Sequence, residues 1–148
     1  MTISYDAIIK IFLSKITDFD FLQFPEEDRT STADGYMKRA VVAFKKVCKY
    51  DLTAYDDALR LFTEDFDEAD IDELLDIISE GMLIQWLKPY VYNQELLENA
   101  LNTTDFTTYS PAELLLRVGN AYAKAQKDYT QMLREYSYNH GNLSELHS

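Results

Sequence analysis

Apolar residues recur at helical spacing along most of the chain. A first helix is predicted from about Ser4 to Lys15, with Ser4 as its N-cap. A second helix begins between Glu26 and Thr32 and ends near Cys48. Cys48 falls on the apolar stripe of that helix, which predicts a buried, unreactive thiol. The stripe of the first helix consists of Tyr5, Ile8, Ile9, Phe12 and Ile16.

The third predicted helix has the strongest apolar stripe and is expected to form the centre of the core. Asp67 and Asp70 resemble a weak capping box at its start. Pro89 is expected to end it near Lys88. Gly81, inside the helix, predicts the close approach of another helix. The stripe consists of Ile71, Leu74, Leu75, Ile78, Met82 and Trp86.

Two shorter segments have weaker signals. A fourth helix is expected from Gln94 to Leu101, with Asn93 as its N-cap. Residues 50–66 favour an extended arm or a short strand, and a short helix from Thr53 to Phe62 is the alternative. The anchors of the arm would be Leu59, Leu61 and Phe66.

The last helix has the clearest start signal of the chain. Ser110 is placed as N-cap, Pro111 occupies the first helical position and Glu113 completes a capping box. The helix is predicted to run over residues 111–138, which is roughly 42 Å at 1.5 Å per residue. Gly141 is the natural stop, and residues 139–148 are expected to form a short flexible tail.

A heptad pattern runs along this last helix. Position a is held by Leu115, Tyr122, Tyr129 and Tyr136, and position d by Val118, Ala125 and Met132. The helix either lies on the core of its own domain or meets another chain, and both interpretations stay open. Successive tyrosines suit a broad partner surface better than a tight two-stranded coiled coil. The candidate interface residues are Tyr122, Tyr129, Met132, Tyr136, Tyr138, His140 and Leu143.

These elements predict an all-α fold, a small helical bundle of about five helices with a long C-terminal helix and a short flexible tail. The 148 residues fit a single domain, residues 1–148. Within it, residues 1–110 form the helical core. No apolar run is long enough to span a membrane and no signal peptide is expected at the start of the chain.

The negative charge is concentrated in one part of the chain. Of the net charge of −12, residues 51–80 supply twelve acidic groups and one basic group, Arg60, a sum of −11. Such a surface repels a phosphate backbone and disfavours ordinary DNA binding. It is still compatible with DNA that passes without being held.

The residues of common catalytic and metal sites are missing. The two histidines, His140 and His147, lie near the C-terminal end, and a single cysteine excludes an internal disulfide and favours a reducing compartment. No HExxH, CxxC or glycine-rich phosphate loop occurs. A calcium loop counted from Asp65 fails, because Asp70 stands where glycine is needed and Asp76 where glutamate is. We therefore expect no cofactor, no metal and no enzymatic activity.

Several motifs follow one another in a characteristic order along the chain. They are Tyr5-Asp6, Phe12-Leu13-Ser14-Lys15-Ile16-Thr17-Asp18, Met82-Leu83-Ile84-Gln85-Trp86-Leu87-Lys88-Pro89, Asn93 with Glu95-Leu96-Leu97, Asp105-Phe106, Tyr109-Ser110-Pro111 and Arg134-Glu135-Tyr136-Ser137-Tyr138-Asn139. In these motifs the chain resembles the neck (head–tail connector, or adaptor) proteins of tailed bacteriophages of Gram-positive hosts. The resemblance covers most of the chain, is weakest at residues 50–66, and has no catalytic signature.

The resemblance implies a structural protein of the virion neck that is made in the host cytoplasm. Such connectors form a ring, usually of twelve copies, under the portal protein. The ring extends the DNA channel and offers a docking surface to the tail or a tail-completion protein, and the C-terminal part commonly reaches a neighbour or the portal. The candidate acidic lining of the channel is Asp65, Asp67, Glu68, Asp70, Asp72 and Glu73.

Two other functions fit the composition. An acidic protein that mimics DNA would bind a basic enzyme and inhibit it, with a strong dependence on salt. A helical adaptor that binds and regulates another protein is the second alternative. Neither requires a ring.

Overall fold

The computed structural model describes residues 1–19, 22, 29–93, 95 and 110–140. This part of the chain is a mostly helical bundle with a long C-terminal helix, and it holds four α-helices where the sequence predicted about five. Apart from Glu95, the predicted helix from Gln94 to Leu101 lies outside the described residues. The helices are α1 (Tyr5–Ile16), α2 (Arg29–Phe44), α3 (Glu68–Tyr92) and α4 (Pro111–His140), and a 3₁₀ turn, Thr17–Phe19, follows α1.

A small antiparallel sheet adds a little strand to the mostly helical fold. Its strands are β1 (Ile3–Ser4), β2 (Tyr55–Asp56) and β3 (Leu61–Phe62), in the order β1-β3-β2. The strand alternative for residues 50–66 is thus confirmed, and the short helix from Thr53 to Phe62 is wrong. The Asp56 carboxylate accepts hydrogen bonds from the backbone N–H groups of Ala58 and Leu59, which closes a turn instead of a helix.

The hairpin of β2 and β3 is anchored by Phe62 and Phe66, which are both buried. The ring of Tyr5 packs edge-on against Phe62, with centroids 5.3 Å apart. Leu59, which the sequence predicted as an anchor, lies at the tip of the hairpin and is 69% exposed. Leu52 is buried in its place, so the hairpin is held from its two ends.

Local capping signals set three helix starts as predicted. The Ser4 hydroxyl accepts from the Ala7 N–H at 3.1 Å, and the Asp67 carboxylate from the Ala69 N–H at 3.1 Å. Ser110 and Glu113 form the reciprocal capping box. The capping box expected of Asp67 and Asp70 does not form, because the Asp70 carboxylate binds elsewhere.

Two helix ends differ from the prediction. α2 ends at Phe44 and not near Cys48, because the Phe44 carbonyl accepts from both the Val47 and the Cys48 N–H at 3.0 Å and tightens the chain into turns. α3 does not end near Lys88 but continues through Pro89 to Tyr92. Ring contacts on either side of the proline, Trp86 with Tyr90 and Tyr92 with Tyr122, accompany this extension.

α4 also runs slightly further than predicted. Asn139 and His140, assigned to the tail, belong to the helix. The predicted stop at Gly141 and the rest of the tail lie outside the described residues. No helix in the described part of the chain is both long and apolar enough to cross a membrane.

α3 is the centre of the bundle and contacts α1, α2 and α4. Trp86 is buried among the edges of Phe12 and Phe19. A Cβ atom on Gly81 would lie 2.8 Å from the Ala40 Cβ and 3.0 Å from Tyr129 Cε1. The predicted close approach at Gly81 is therefore confirmed, and it involves two helices.

Candidate protein-interaction surfaces

The tyrosine face of α4 is turned into the chain's own core. Tyr122, Tyr129 and Tyr136 are buried, as are Val118 and Ala125 at the alternating positions. Of the two interpretations of the heptad pattern, the structure shows the intramolecular one for these residues. As interface candidates the three tyrosines are therefore a correction: the chain's own core already covers their surface.

Tyr129 closes the junction of three helices. Its hydroxyl donates a 2.8 Å hydrogen bond to the Ala40 carbonyl in α2, and its ring lies over Gly81 in α3. Burial raises the pKa of the Tyr129 hydroxyl to about 12. At neutral pH the hydroxyl is a donor whose partner is fixed.

Tyr136 holds the far end of α4 against the turns that follow α2. Its hydroxyl accepts from the Lys49 N–H at 3.2 Å and lies 3.6 Å from Cys48 Sγ. Its ring meets Phe44 edge-on, with centroids 5.0 Å apart. Burial raises the pKa of the half-buried Cys48 thiol, so the thiol stays protonated, in keeping with the predicted low reactivity.

The remaining interface candidates lie at the C-terminal end of α4. Tyr138 is 61% exposed, and Met132 and His140 are half-buried. His140 Nε2 lies 2.7 Å from Glu73 Oε1 and its ring stacks on Tyr136. Leu143 lies outside the described residues. Only Tyr138 therefore keeps an open aromatic surface for a partner among the candidates that the structure describes.

The six candidate lining residues divide into two groups. Four are engaged within the chain: Asp65 binds the N-terminal amine, Asp67 caps α3, Glu73 meets His140, and Asp70 accepts from Lys49 Nζ at 2.8 Å and from the Tyr50 hydroxyl at 2.6 Å. The Lys49 hydrogen bond, followed by that from Tyr50, lowers the pKa of Asp70.

Glu68 and Asp72 form the second group. Both are exposed, and they stand one turn apart on α3, so their side chains share a face of the helix. The acidic surface that remains open in this region is therefore smaller than the sequence predicted. Of the six candidates, Glu68 and Asp72 are exposed, Asp65 and Asp67 stay exposed although each is hydrogen-bonded within the chain, and Asp70 and Glu73 are half-buried.

Arg60, the one basic residue of the acidic stretch, is turned to the carboxylates of other elements. Its guanidinium donates to both carboxylate oxygens of Asp34 in α2, from Nη2 at 2.7 Å and Nε at 3.2 Å, and also to Asp6 in α1. Its φ of 54° places it in the left-handed region. The arginine thus ties the hairpin to two helices.

An acidic groove, which the sequence did not predict, lies between α1, α3 and α4. Its cavity volume is about 500 Å³. Lys15 Nζ contacts Asp76 Oδ1 at 2.7 Å and Glu80 Oε2 at 2.8 Å, and Glu80 is only 8% exposed. The groove is lined by Lys15, Asp18, Phe19, Asp76, Glu80, Leu83, Ala121, Lys124, Ala125 and Asp128.

The acidic groove was missed because its residues come from three segments that are far apart in the chain. No spacing in the sequence connects Lys15 with Glu80, which are 65 residues apart. The one local signal is the pair Lys124 and Asp128, four residues apart on α4, whose Nζ and Oδ2 atoms are separated by 2.6 Å.

Among the described residues, no group of three or more His, Cys, Asp or Glu side chains is placed to hold a metal ion. No family model, curated protein or solved structure matches the chain.

Proposed function

We propose that this chain is a structural protein of a bacteriophage neck. It would form a ring under the portal, extend the DNA channel and provide the docking surface for the tail. The motif resemblance over most of the chain supports this proposal. The observation that carries it is the C-terminal end of α4, where Tyr138 is 61% exposed while the tyrosines at the core positions are buried.

This end of α4 suits a docking element because contacts within the chain hold the helix on both sides of Tyr138. Tyr136 binds the backbone N–H of Lys49, and His140 meets Glu73. Tyr138, between them, is held in place with its ring in solvent. An aromatic ring with a polar tip, presented at low entropic cost, is a common anchor of protein interfaces.

The first test is binding to the portal protein encoded in the same phage genome. Purified protein is sedimented with portal rings, and bound copies are counted by native mass spectrometry. We expect about one copy per portal subunit. A stable monomer that does not bind the portal but binds a basic DNA-processing enzyme would contradict the proposal and support the DNA mimic. Binding of a different partner would support the adaptor.

The docking role is separated from folding by a deletion and a point variant. Removing residues 137–148 should abolish portal binding, and Tyr138→Ala should weaken it, while Tyr136 stays in its buried site. Gln126→Ala, on an exposed part of the same helix, is the matched control and should bind normally. Undiminished binding by both the deletion and Tyr138→Ala would place the contact elsewhere.

A channel lining is the proposed role of the exposed carboxylates Glu68 and Asp72. The double variant Glu68→Gln, Asp72→Asn should slow DNA ejection without changing assembly, because phosphates would meet a less repulsive wall. Asp67→Asn is the control, since asparagine caps a helix as well as aspartate does. Normal DNA ejection by assembled particles of the double variant would show that Glu68 and Asp72 do not line the channel.

A further inference from the structure

We propose that copies of this chain associate head to tail, with the basic stripe on α4 of one copy seated in the acidic groove of the next. The basic stripe consists of Lys127 and Arg134. The inference rests on the proposed function, because that function requires copies of the chain to meet. The surfaces themselves are chosen by their charge and shape.

The acidic groove is built to receive positive charge. Its four carboxylates, Asp18, Asp76, Glu80 and Asp128, face two lysines, so its formal charge is −2. Lys15 and Lys124 are already bound to carboxylates of the groove. The excess negative charge therefore has no counterpart among the residues that line the groove.

The shape of the groove fits long basic side chains. Ala121 and Ala125 form its α4 wall and leave it wide, and Leu83 and Phe19 add apolar surface. The aliphatic stem of an arginine or lysine can lie on such a surface while its charged end reaches the carboxylates. A cavity of about 500 Å³ has room for more than one such side chain.

The complementary surface lies on the same chain, on the exposed side of α4. Lys127 and Arg134 are both exposed. Lys127 and Arg134 are seven residues apart, which places them on one face about 10 Å apart along the helix. The exposed carboxylates of α4 are Glu113, which closes the capping box, and Glu135, which accepts from the Gln131 side chain at 2.9 Å.

A contact between two different surfaces repeats from copy to copy. Each added copy presents its groove at one side and its stripe at the other, and the series ends only when it closes into a ring. The net charge of −12 on every copy opposes this association. We therefore expect weak contacts in solution, which are strengthened where copies are concentrated.

Charge reversal tests the contact directly. One variant carries Lys127→Glu and Arg134→Glu; the other carries Asp18→Lys and Asp128→Lys. Sedimentation velocity at increasing concentration should show that each variant alone self-associates at least about tenfold more weakly than the wild type. An equimolar mixture should recover association, because each reversed surface then meets an opposite charge.

The control is Lys45→Glu with Lys46→Glu, an exposed basic pair beyond the end of α2 that should leave association unchanged. Zero-length cross-linking of mixed isotope-labelled and unlabelled chains should join Lys127 of one copy to Asp18 or Asp76 of another. Circular dichroism confirms that each variant is folded.

Three results would overturn the inference: wild-type association by either reversed variant, failure of the mixture to recover, or a wild-type chain that stays monomeric and gives no intermolecular cross-link at the highest concentrations. Portal is absent from these experiments. Loss of portal binding with intact association would count against the proposed function alone, and the reverse would count against this contact alone.

Discussion

The Tyr129 hydroxyl donates a 2.8 Å hydrogen bond to the backbone carbonyl of Ala40, across 89 residues of chain. Between the two elements lies Gly81, whose missing side chain leaves the space that the Tyr129 ring and the Ala40 methyl group occupy. A single junction therefore holds α2, α3 and α4 together. Its stability should respond to change in any of the three residues.

Gly81→Ala should destabilise the protein. Alanine is normally favoured over glycine inside a helix by about 0.5–1 kcal/mol. Here the new Cβ would lie 2.8 Å from the Ala40 Cβ, which cannot move without shifting α2, so we expect a net loss of about 1–3 kcal/mol. Urea denaturation measures the free energy of unfolding.

Gly35→Ala and Gly119→Ala are the matched controls for Gly81→Ala, because a Cβ at either position meets nothing within 4 Å. Both should stabilise the protein by about 0.5–1 kcal/mol. Equal effects of all three substitutions would show that the junction at Gly81 is not tight.

Tyr129 should make the protein sensitive to alkali. Its pKa is raised to about 12, whereas an unfolded tyrosine titrates near 10. Its stabilising contribution is therefore complete below about pH 10 and is lost as the pH rises toward 12. Spectrophotometric titration of tyrosine near 295 nm should show one fewer group with a high pKa in Tyr129→Phe.

At pH 7 the variant Tyr129→Phe should be less stable by about 1 kcal/mol, the value of a buried hydrogen bond. At about pH 11 the difference from the wild type should shrink by roughly 1 kcal/mol, because only the wild type then loses the Tyr129 contribution. A difference that is the same at both pH values would contradict the assignment. Tyr138→Phe, at an exposed position, is the control at pH 7 and should leave the free energy of unfolding close to that of the wild type.

Arg60 combines ion pairs with a left-handed backbone, and two substitutions separate these effects. Arg60→Ala loses the contacts to Asp34 and Asp6 and keeps the unfavourable φ of 54°, so we expect a loss of about 1–3 kcal/mol. Arg60→Gly loses the same contacts but adopts that φ freely, and should be about 1 kcal/mol more stable than Arg60→Ala. Equal stability of the two variants would show that the left-handed backbone at residue 60 does not cost stability.

Asp70 should contribute to stability above about pH 4. Because the Lys49 and Tyr50 hydrogen bonds lower its pKa in the folded protein, the contribution is present above the unfolded pKa near 3.9 and is lost as the pH falls through the folded value. Asp70→Asn should cost about 1 kcal/mol at pH 7 and much less near pH 2. Asp72→Asn, exposed on the same helix, is the control at pH 7, where its effect on the free energy of unfolding should be close to zero.

Helix starts could be predicted from the sequence because the capping interactions are local. Ser4, Asp67 and the pair Ser110 and Glu113 each bind an N–H group two or three residues away, so the deciding contacts lie within one turn. The close approach at Gly81 was also predictable, since a small residue on a strongly apolar helix has few other uses.

Features that depend on distant contacts could not be predicted. Pro89 does not end α3, and contacts of Tyr90 with Trp86 and of Tyr92 with Tyr122 accompany the extra turn. The sheet needs Ile3 opposite Phe62, which no local pattern reveals. The heptad pattern of α4 showed that one face is apolar but not which surface covers it, and the acidic groove exists only once three helices meet.

The long separation between Gly81 and Tyr129 has a consequence for synthesis. When Gly81 is added to the chain, the gap beside it is open, because the ring that fills it belongs to Tyr129, which is translated 48 residues later. At roughly 5–20 residues per second, several seconds pass before residue 129 is added. During that interval the gap beside Gly81 stays unfilled. The packing of α4 against α2 and α3 is the step that closes it and completes the core.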